Sequence, residues 1–205
     1  MYRIQEEIEN TIIIQKSEFI THLFRVETID DVNNILDNIR KKYYDATHNC
    51  YAYILGDKQD IQKCSDDGEP AKTAGAPIID VLKKNNMTNI LAVVTRYFGG
   101  ILLGAGGLVR AYSSSVSEAL NKAKLYDTLD VTDFIITTSY SGYNTILNIK
   151  EINIIDTSFT DSVIITGYVE KEIFNKLEEI LYKNKIDPNS LKKIGDSQKE
   201  IPIKC

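Results

Sequence analysis

The side chains with chemistry to offer gather between positions 64 and 112. An acidic turn, Cys64-Ser65-Asp66-Asp67-Gly68-Glu69-Pro70, sets Asp66, Asp67 and Glu69 almost side by side. Such carboxylates can hold a cation, serve as acid and base, or pair with arginine. The arginines stand further on, in Thr95-Arg96-Tyr97-Phe98-Gly99-Gly100 and in Leu103-Gly104-Ala105-Gly106-Gly107-Leu108-Val109-Arg110-Ala111-Tyr112. Seven of the eleven glycines fall between Gly68 and Gly107, and glycine serves where a backbone needs positive φ or must approach something closely.

The elements around them give this spacing its meaning. Ile90 to Thr95 is an unbroken apolar run, the pattern of a strand buried on both faces. A helix is predicted to start near Gly106 or Gly107 and run to about Lys124. Leu108, Ala111, Tyr112, Val116, Ala119, Leu120 and Ala123 form its core-facing stripe. A glycine loop between strand and helix offers free backbone N–H groups and the positive end of the helix dipole. Arg96, Tyr97, Gly99, Gly100, Gly104, Gly106, Gly107 and Arg110 are therefore the candidate anion- or partner-binding residues. The competing reading lets the glycines serve close packing while Arg96 and Arg110 pair with Asp66, Asp67 or Glu69.

Two phosphate motifs are excluded. Gly68-Glu69-Pro70-Ala71-Lys72-Thr73 ends like a P-loop, but Asp66 and Ala71 stand where that motif wants glycine. Asp127, about twenty residues past the glycines, follows the helix without a parallel strand, against a dinucleotide fingerprint.

His48 and Cys50, two apart on a predicted strand, share one face and permit a thiolate–imidazole pair in principle. Histidines and small thiols in strands are more often core or hydrogen-bonding residues. Ser65-Asp66-Asp67-Gly68 also reads as an exposed turn. The serines at 113, 114, 115 and 117 point to close packing or a polar surface more than to catalysis. Tyr97 and Phe98, at a strand end, could stack on a base or on a partner's side chain. Cys50, Cys64 and Cys205 form no CxxC pair, which argues against a disulfide framework and structural zinc. No residue set calls for a metal or a cofactor, and no catalytic residue is assigned.

At 205 residues with 43% apolar side chains the composition is that of a soluble globular protein. No apolar run approaches the ~20 residues of a membrane span, and the polar start Met1-Tyr2-Arg3-Ile4-Gln5-Glu6-Glu7 is not signal-like, so a cytoplasmic protein without membrane contact is expected. Residues 1–128 hold 15 basic and 17 acidic side chains, and residues 129–205 hold 9 and 12. Neither half suits a strong nonspecific grip on nucleic acid.

Along the chain, strands are predicted at Thr11 to Gln15, Phe19 to Val26 and Asn49 to Leu55. Thr28-x-x-Asp31 resembles a capping box ahead of a helix through Val32, Ile35, Leu36, Ile39 and Tyr43. A second helix covers Thr73 to Lys84, with Pro77 in its first turn. Tyr126 to Asp130 reads as a linker. Then come strand Phe134 to Tyr140, helix Tyr143 to Lys150, strands Ile152 to Phe159 and Ser162 to Val169, helix Glu172 to Asn184, and a strand within Leu191 to Ile203. That βαββαβ order is ferredoxin-like, giving an α+β chain of two domains, 1–128 and 129–205. In the second domain's longer helix Ile173, Phe174, Leu177, Ile180 and Leu181 face inward.

The run Ser-Asp-Asp-Gly-Glu-Pro-x-x-Thr-Ala-Gly-x-Pro at 65–77, with Val-Val-Thr-Arg-Tyr-Phe-Gly-Gly and Leu-Gly-Ala-Gly-Gly-Leu-Val-Arg-Ala-Tyr after it, resembles the IMPACT family, bacterial YigZ type. His48-x-Cys50 and Lys-Ser-x-Phe-Ile at 16–20 extend the likeness, and the order of elements covers essentially the whole chain. Two positions depart from it: Lys72 replaces the usual glycine and Glu18 a usual basic residue. The resemblance implies an N-terminal domain similar to a fold shared by a small-subunit ribosomal protein and elongation factor G domain IV. It implies a ferredoxin-like second domain similar to elongation factor G domain V. Eukaryotic members are translational regulators that bind the activator of an amino-acid-starvation kinase. The function so implied is a non-enzymatic regulator or binding module of translation, whose partner is the ribosome, RNA or a regulatory protein. The alternative is an enzyme acting on a small phosphorylated or anionic substrate, with Asp66, Asp67 or Glu69 as acid, base or metal ligand.

Overall fold

Strand β6 (Ile90–Tyr97) is the middle of a five-stranded sheet, flanked by β3 (Ser17–Arg25) and β4 (His48–Leu55), with β2 (Ile8–Ile14) and β5 (Ile61–Ser65) at the edges; all these neighbours run antiparallel. The computed structural model describes residues 1–203, so Cys205 lies outside the described residues. Helix α1 (Ile29–Lys42) follows the predicted capping box, in which Thr28 Oγ1 accepts from Asp31 N while Asp31 Oδ2 accepts from Thr28 N. Its buried Val32, Leu36 and Ile39 pack with Leu91 and Val93 on one face of the sheet. The alternate β6 residues Ile90, Ala92 and Val94 pack on the other face with α2 (Gly75–Lys84) and α3 (Gly104–Lys122). Helices on both faces explain why β6 is apolar without alternation.

The period-two rule then fixes the site. Arg96 follows Ile90, Ala92 and Val94 in the row facing α2 and α3. In register beside it stand Phe19 on β3 and His48 on β4. Helix α3 buries Leu108, Ala111, Tyr112, Val116, Ala119 and Leu120 as its stripe predicts, and adds Ser115, whose hydroxyl hydrogen-bonds that of Thr21 across the interface. Of the serine cluster, Ser115 alone is buried, while Ser114 is exposed and Ser113 and Ser117 are half-buried. The helix starts at Gly104, ahead of the predicted Gly106 or Gly107, and ends at Lys122. Strand β5 has no predicted counterpart: it is a polar, exposed edge strand paired only with β4, and edge strands carry little apolar signal.

The described chain forms two compact units, Met1–Asp127 with the residues from Pro202, and Thr128–Ile201. The expected linker Tyr126 to Asp130 is instead part of strand β7 (Tyr126–Thr138), because Tyr126 and Asp127 pair with Arg3 and Tyr2 of the two-residue β1 (Tyr2–Arg3). The second unit continues with α4 (Tyr140–Ile146), β8 (Asn153–Phe159), β9 (Val163–Glu170), α5 (Lys171–Lys183) and β10 (Leu191–Pro202). Its strands lie in the order β10, β7, β9, β8. Helix α4 begins three residues before the expected Tyr143 because Ser139 caps it, accepting from Gly142 N. Phe134, Ile136, Val163, Ile165, Leu177 and Leu181 centre the unit's core, with Ile173, Phe174 and Ile180 packed against it.

His22 on β3 is fully buried: its Nδ1 lies 3.3 Å from Glu7 Oε1 and 3.6 Å from Glu9 Oε2, and its Nε2 2.9 Å from the Tyr43 hydroxyl. Burial lowers its pKa below 6.5, against the raising influence of Glu9 and Glu7, while Lys42 adds to the lowering. The unfolded chain therefore takes up this proton first on acidification. The stabilisation is complete above about pH 6.5 and is lost as pH falls through the folded-state pKa. Urea midpoints should fall from pH 7.5 to 5.5, and His22→Gln should flatten that dependence.

Candidate functional site

Glu69 Oε1 is where the acidic turn, the sheet and α3 meet. It accepts from Arg96 Nη1 at 2.6 Å and from the Tyr112 hydroxyl at 2.8 Å. The Glu69 and Arg96 side chains are only 3% and 6% exposed, and Glu69 Oε2 lies 3.8 Å from His48 Nε2. The guanidinium sits over the rings of Phe19 and Phe98, at 5.4 and 5.6 Å, and its Nη2 donates to Ser17 Oγ at 3.3 Å. Arg96 Nε is buried without a hydrogen-bond partner among the described residues. A buried pair broken on one side costs about 3–5 kcal/mol, so this contact is a structural requirement of the site. Burial, with Cys50 and Glu69 adding to it, raises the pKa of Tyr112, which stays a phenol donor.

The other two carboxylates serve the backbone. Asp66 Oδ1 accepts from Ala74 N and Gly75 N and its Oδ2 from Lys72 N, at 2.8 to 3.0 Å, so it caps the start of α2 from outside the helix. Partial burial pushes its pKa up, but these three N–H donors outweigh that and lower it overall. Asp67 Oδ2 accepts from Asn49 N at 2.6 Å. The turn is thus a built loop, and Glu69 alone faces the site.

Lys72 now has a geometric account. Its φ is +65°, the left-handed region where a side chain is strained and glycine is not. The strain is held by the Lys72 N–H bond to Asp66 Oδ2. Gly99 answers a different need: a Cβ there would lie 2.0 Å from the Lys16 carbonyl carbon, while Gly99 N donates to Ser17 Oγ. This contact explains why the Lys16-Ser17 element and the glycine loop occur together. Gly100 and Gly104 have positive φ, and Gly106 and Gly107 lie within α3.

The remaining candidates separate. Tyr97 turns outward and donates to Asp45 Oδ1 at 2.9 Å. Arg110 is exposed and has no ion pair among the described residues. Cys50 and His48 share a face but do not pair. Cys50 Sγ lies 2.9 Å from the Asp66 carbonyl and 3.3 Å from the Tyr112 hydroxyl, and His48 Nδ1 lies 2.8 Å from the Asp67 carbonyl. Burial pushes the Cys50 thiol up to about 12, helped by Glu69, Asp67 and Asp66 and opposed by Tyr112. Among the described residues no cluster of His, Cys, Asp and Glu could hold a metal ion.

Above Glu69 opens a cavity of about 370 Å³, walled by Pro70, Phe98, Leu102, Leu103, Ala105 and Leu108. His48, Glu69 and Arg96 line it, with Gly104 at the start of α3. Phe98, Ile101 and Leu102 leave an exposed apolar rim. A cavity of about 640 Å³ in the second unit is lined mainly by exposed or half-exposed polar residues, with buried Ile186, and by no buried charge. Ser17 and Tyr112 are the site members that sequence reasoning missed: Ser17 looked like turn punctuation, and Tyr112 like one more residue of the apolar stripe.

The sequence profile of the Impact N-terminal domain matches residues 15–120, and the chain belongs to the IMPACT family. It is 53% identical over 120 residues to IMPACT family member YvyE of Bacillus subtilis, a match covering 58% of this chain and 55% of that protein. To an IMPACT family member of Haemophilus influenzae it is 37% identical over 166 residues, 78% of this chain and 81% of that one. A crystal structure described as that of a hypothetical protein superposes with a TM-score of 0.60 at 29% identity, covering 95% of this chain and 96% of the other. No helix among the described residues is long and apolar enough to cross a membrane.

Two outcomes follow. Lys72→Gly should raise unfolding stability by up to about 1 kcal/mol, through relief of the left-handed strain offset by the freer unfolded chain, as read by urea denaturation. With a maleimide at pH 7.5, Cys64 should label in the folded protein, more slowly than a free thiol because burial and the nearby Asp66 and Asp80 raise its pKa. Cys50 should label only after denaturation, as mapped by peptide mass spectrometry.

Proposed function

We propose that the protein is a non-enzymatic regulator or binding module linked to translation, which holds an RNA or protein element of the translation machinery at the Glu69–Arg96 cavity and its rim. The observation that carries this reading is the state of the site's charges. Arg96 is neutralised by Glu69, Asp66 and Asp67 are engaged by backbone N–H groups, and Cys50 is a protonated thiol. Capture of a small anion needs a free cation in the cavity, and Arg96 is already engaged by Glu69, whereas a binding module needs a fixed cavity with an apolar rim. Phe98 and Leu102 supply that rim, and Arg110, on the first turns of α3, supplies an exposed cation for an RNA phosphate or an acidic side chain.

The link to translation comes from the family, whose eukaryotic members the sequence resemblance describes as translational regulators. The second unit's order β10, β7, β9, β8, with helices after its first and third strands, supports reading it as a ferredoxin-like domain. We infer from it, with the resemblance, a kinship to elongation factor G domain V, and for the first unit a kinship to domain IV. The cytoplasm is the compartment this function requires.

Sedimentation of the tagged protein with ribosomal particles, from growing and amino-acid-starved cells, is the test. Arg96 and Glu69 stay intact, because altering them would disturb the fold. Salt-sensitive migration should fall at least about fivefold in Leu102→Ser and in Arg110→Ala. Absence from every particle fraction would overturn the translation link, and unaffected variants would overturn the site.

A further inference from the structure

The cavity presents two hydrogen-bond acceptors side by side. His48 Nδ1 lies 2.8 Å from the Asp67 carbonyl, and a carbonyl only accepts, so the tautomer this contact selects has its proton on Nδ1 and offers Nε2 as the acceptor. Glu69 Oε1 is occupied by Arg96 and Tyr112, whereas Oε2 accepts no hydrogen bond among the described residues. At 3.8 Å from His48 Nε2 it is too far for a direct bond. Glu69 is nevertheless more than nine-tenths buried and lines the cavity, so Oε2 is left as an acceptor that a donor entering the cavity can meet.

The same cavity also offers donors. Helix α3 starts at Gly104 without a side-chain cap, so the N–H groups of its first turn have no partner within the helix. Gly104 and Ala105 both line the cavity. Its polar end therefore combines two adjacent acceptors with helix N–H donors, and its walls are apolar.

The ligand's charge follows from the floor. An anion would meet the Glu69 carboxylate, while Arg96 is already bound to that carboxylate. A cation would add a second positive charge beside Arg96. A neutral group with two adjacent N–H donors next to a carbonyl oxygen matches all three features. Phe98, 46% exposed with Arg96 over its ring, is a surface for a flat body.

We propose that this cavity recognises a guanine-type base. Its ring N–H and amino N–H donate to Glu69 Oε2 and His48 Nε2, its carbonyl oxygen accepts from the first turn of α3, and its ring lies against the apolar wall. Adenine alternates donor and acceptor along the same edge and is the mismatch. The volume of about 370 Å³ falls within the ~300–1,000 Å³ of small-molecule sites. The base comes either from a free nucleoside or from an unpaired position in RNA. The inference rests on the reading of this site as a binding cavity and not on the link to translation.

The test is an NMR titration of the purified full chain with guanosine, inosine, adenosine and short single-stranded oligoribonucleotides with and without guanine. Guanosine should shift the His48 ring and Gly104 amide signals saturably, with inosine and adenosine at least tenfold weaker. Glu69→Gln places an amide where an acceptor is needed, and His48→Asn retains a donor for the Asp67 carbonyl while deleting Nε2. Each should weaken guanosine at least tenfold. If Glu69→Gln unfolds, His48→Asn decides. Tighter binding of the guanine-containing strand than of guanosine assigns the site to RNA, and equal binding assigns it to the nucleoside. Equal affinity for adenosine, or unchanged binding by His48→Asn, overturns the proposal. No binding of any probe, with ribosome migration still sensitive to Leu102→Ser, overturns it too, leaves the translation reading standing and gives the cavity to a protein side chain.

Discussion

The buried ion pair between Arg96 and Glu69 fixes the geometry of the first unit's functional end. A guanidinium and a carboxylate taken out of water lose several kcal/mol of solvation each, and close geometry with further contacts is needed to offset that loss. Here the compensation comes from three directions: the carboxylate itself, the Ser17 hydroxyl and the flanking rings of Phe19 and Phe98. Tyr112 adds a donor from α3 to the same carboxylate oxygen. The pair therefore ties together β6, the acidic turn and α3, and through Ser17 the start of β3. The position of the cavity floor is a consequence of that tie.

The acidic turn behaves as one built object around this point. With Asp66 bound to the backbone ahead of α2 and Asp67 to the backbone of β4, the turn cannot swing. Its own carbonyls are then fixed and orient two residues of the sheet, His48 through Asp67 and Cys50 through Asp66. The same rigidity forces Lys72 into a left-handed conformation. Three residues that look reactive in the sequence thus work as scaffold, and the chemistry left facing the cavity is an imidazole nitrogen and one carboxylate oxygen.

The glycine loop supplies the opposite quality, closeness without bulk. Gly99 lets the end of β6 touch the Lys16-Ser17 turn, and Gly104 turns the chain into α3 with its first N–H groups uncapped. Between them Phe98, Ile101 and Leu102 stay exposed. An apolar rim over a neutralised charged floor favours recognition by shape and hydrogen bonds over electrostatic capture, in keeping with the mild acidity of both halves of the chain.

Much of the architecture could be read from residue order. The apolar run of β6, the capping box at Thr28 and Asp31 and the stripe from Leu108 to Leu120 each encode a local period or cap, and such signals need no distant partner. The motifs likewise marked Glu69, Arg96 and the glycines as one site, and left open whether the arginines bind an anion or pair with the turn. That choice belonged to the tertiary structure. Register places Arg96 inside the α3-facing row and Arg110 on the helix's outer side, and burial makes an unpaired guanidinium too costly to leave without Glu69. The pairing of Tyr126 and Asp127 with β1 and the edge strand β5 were equally hidden. Both depend on hydrogen bonds to residues far away in sequence, which no local pattern records.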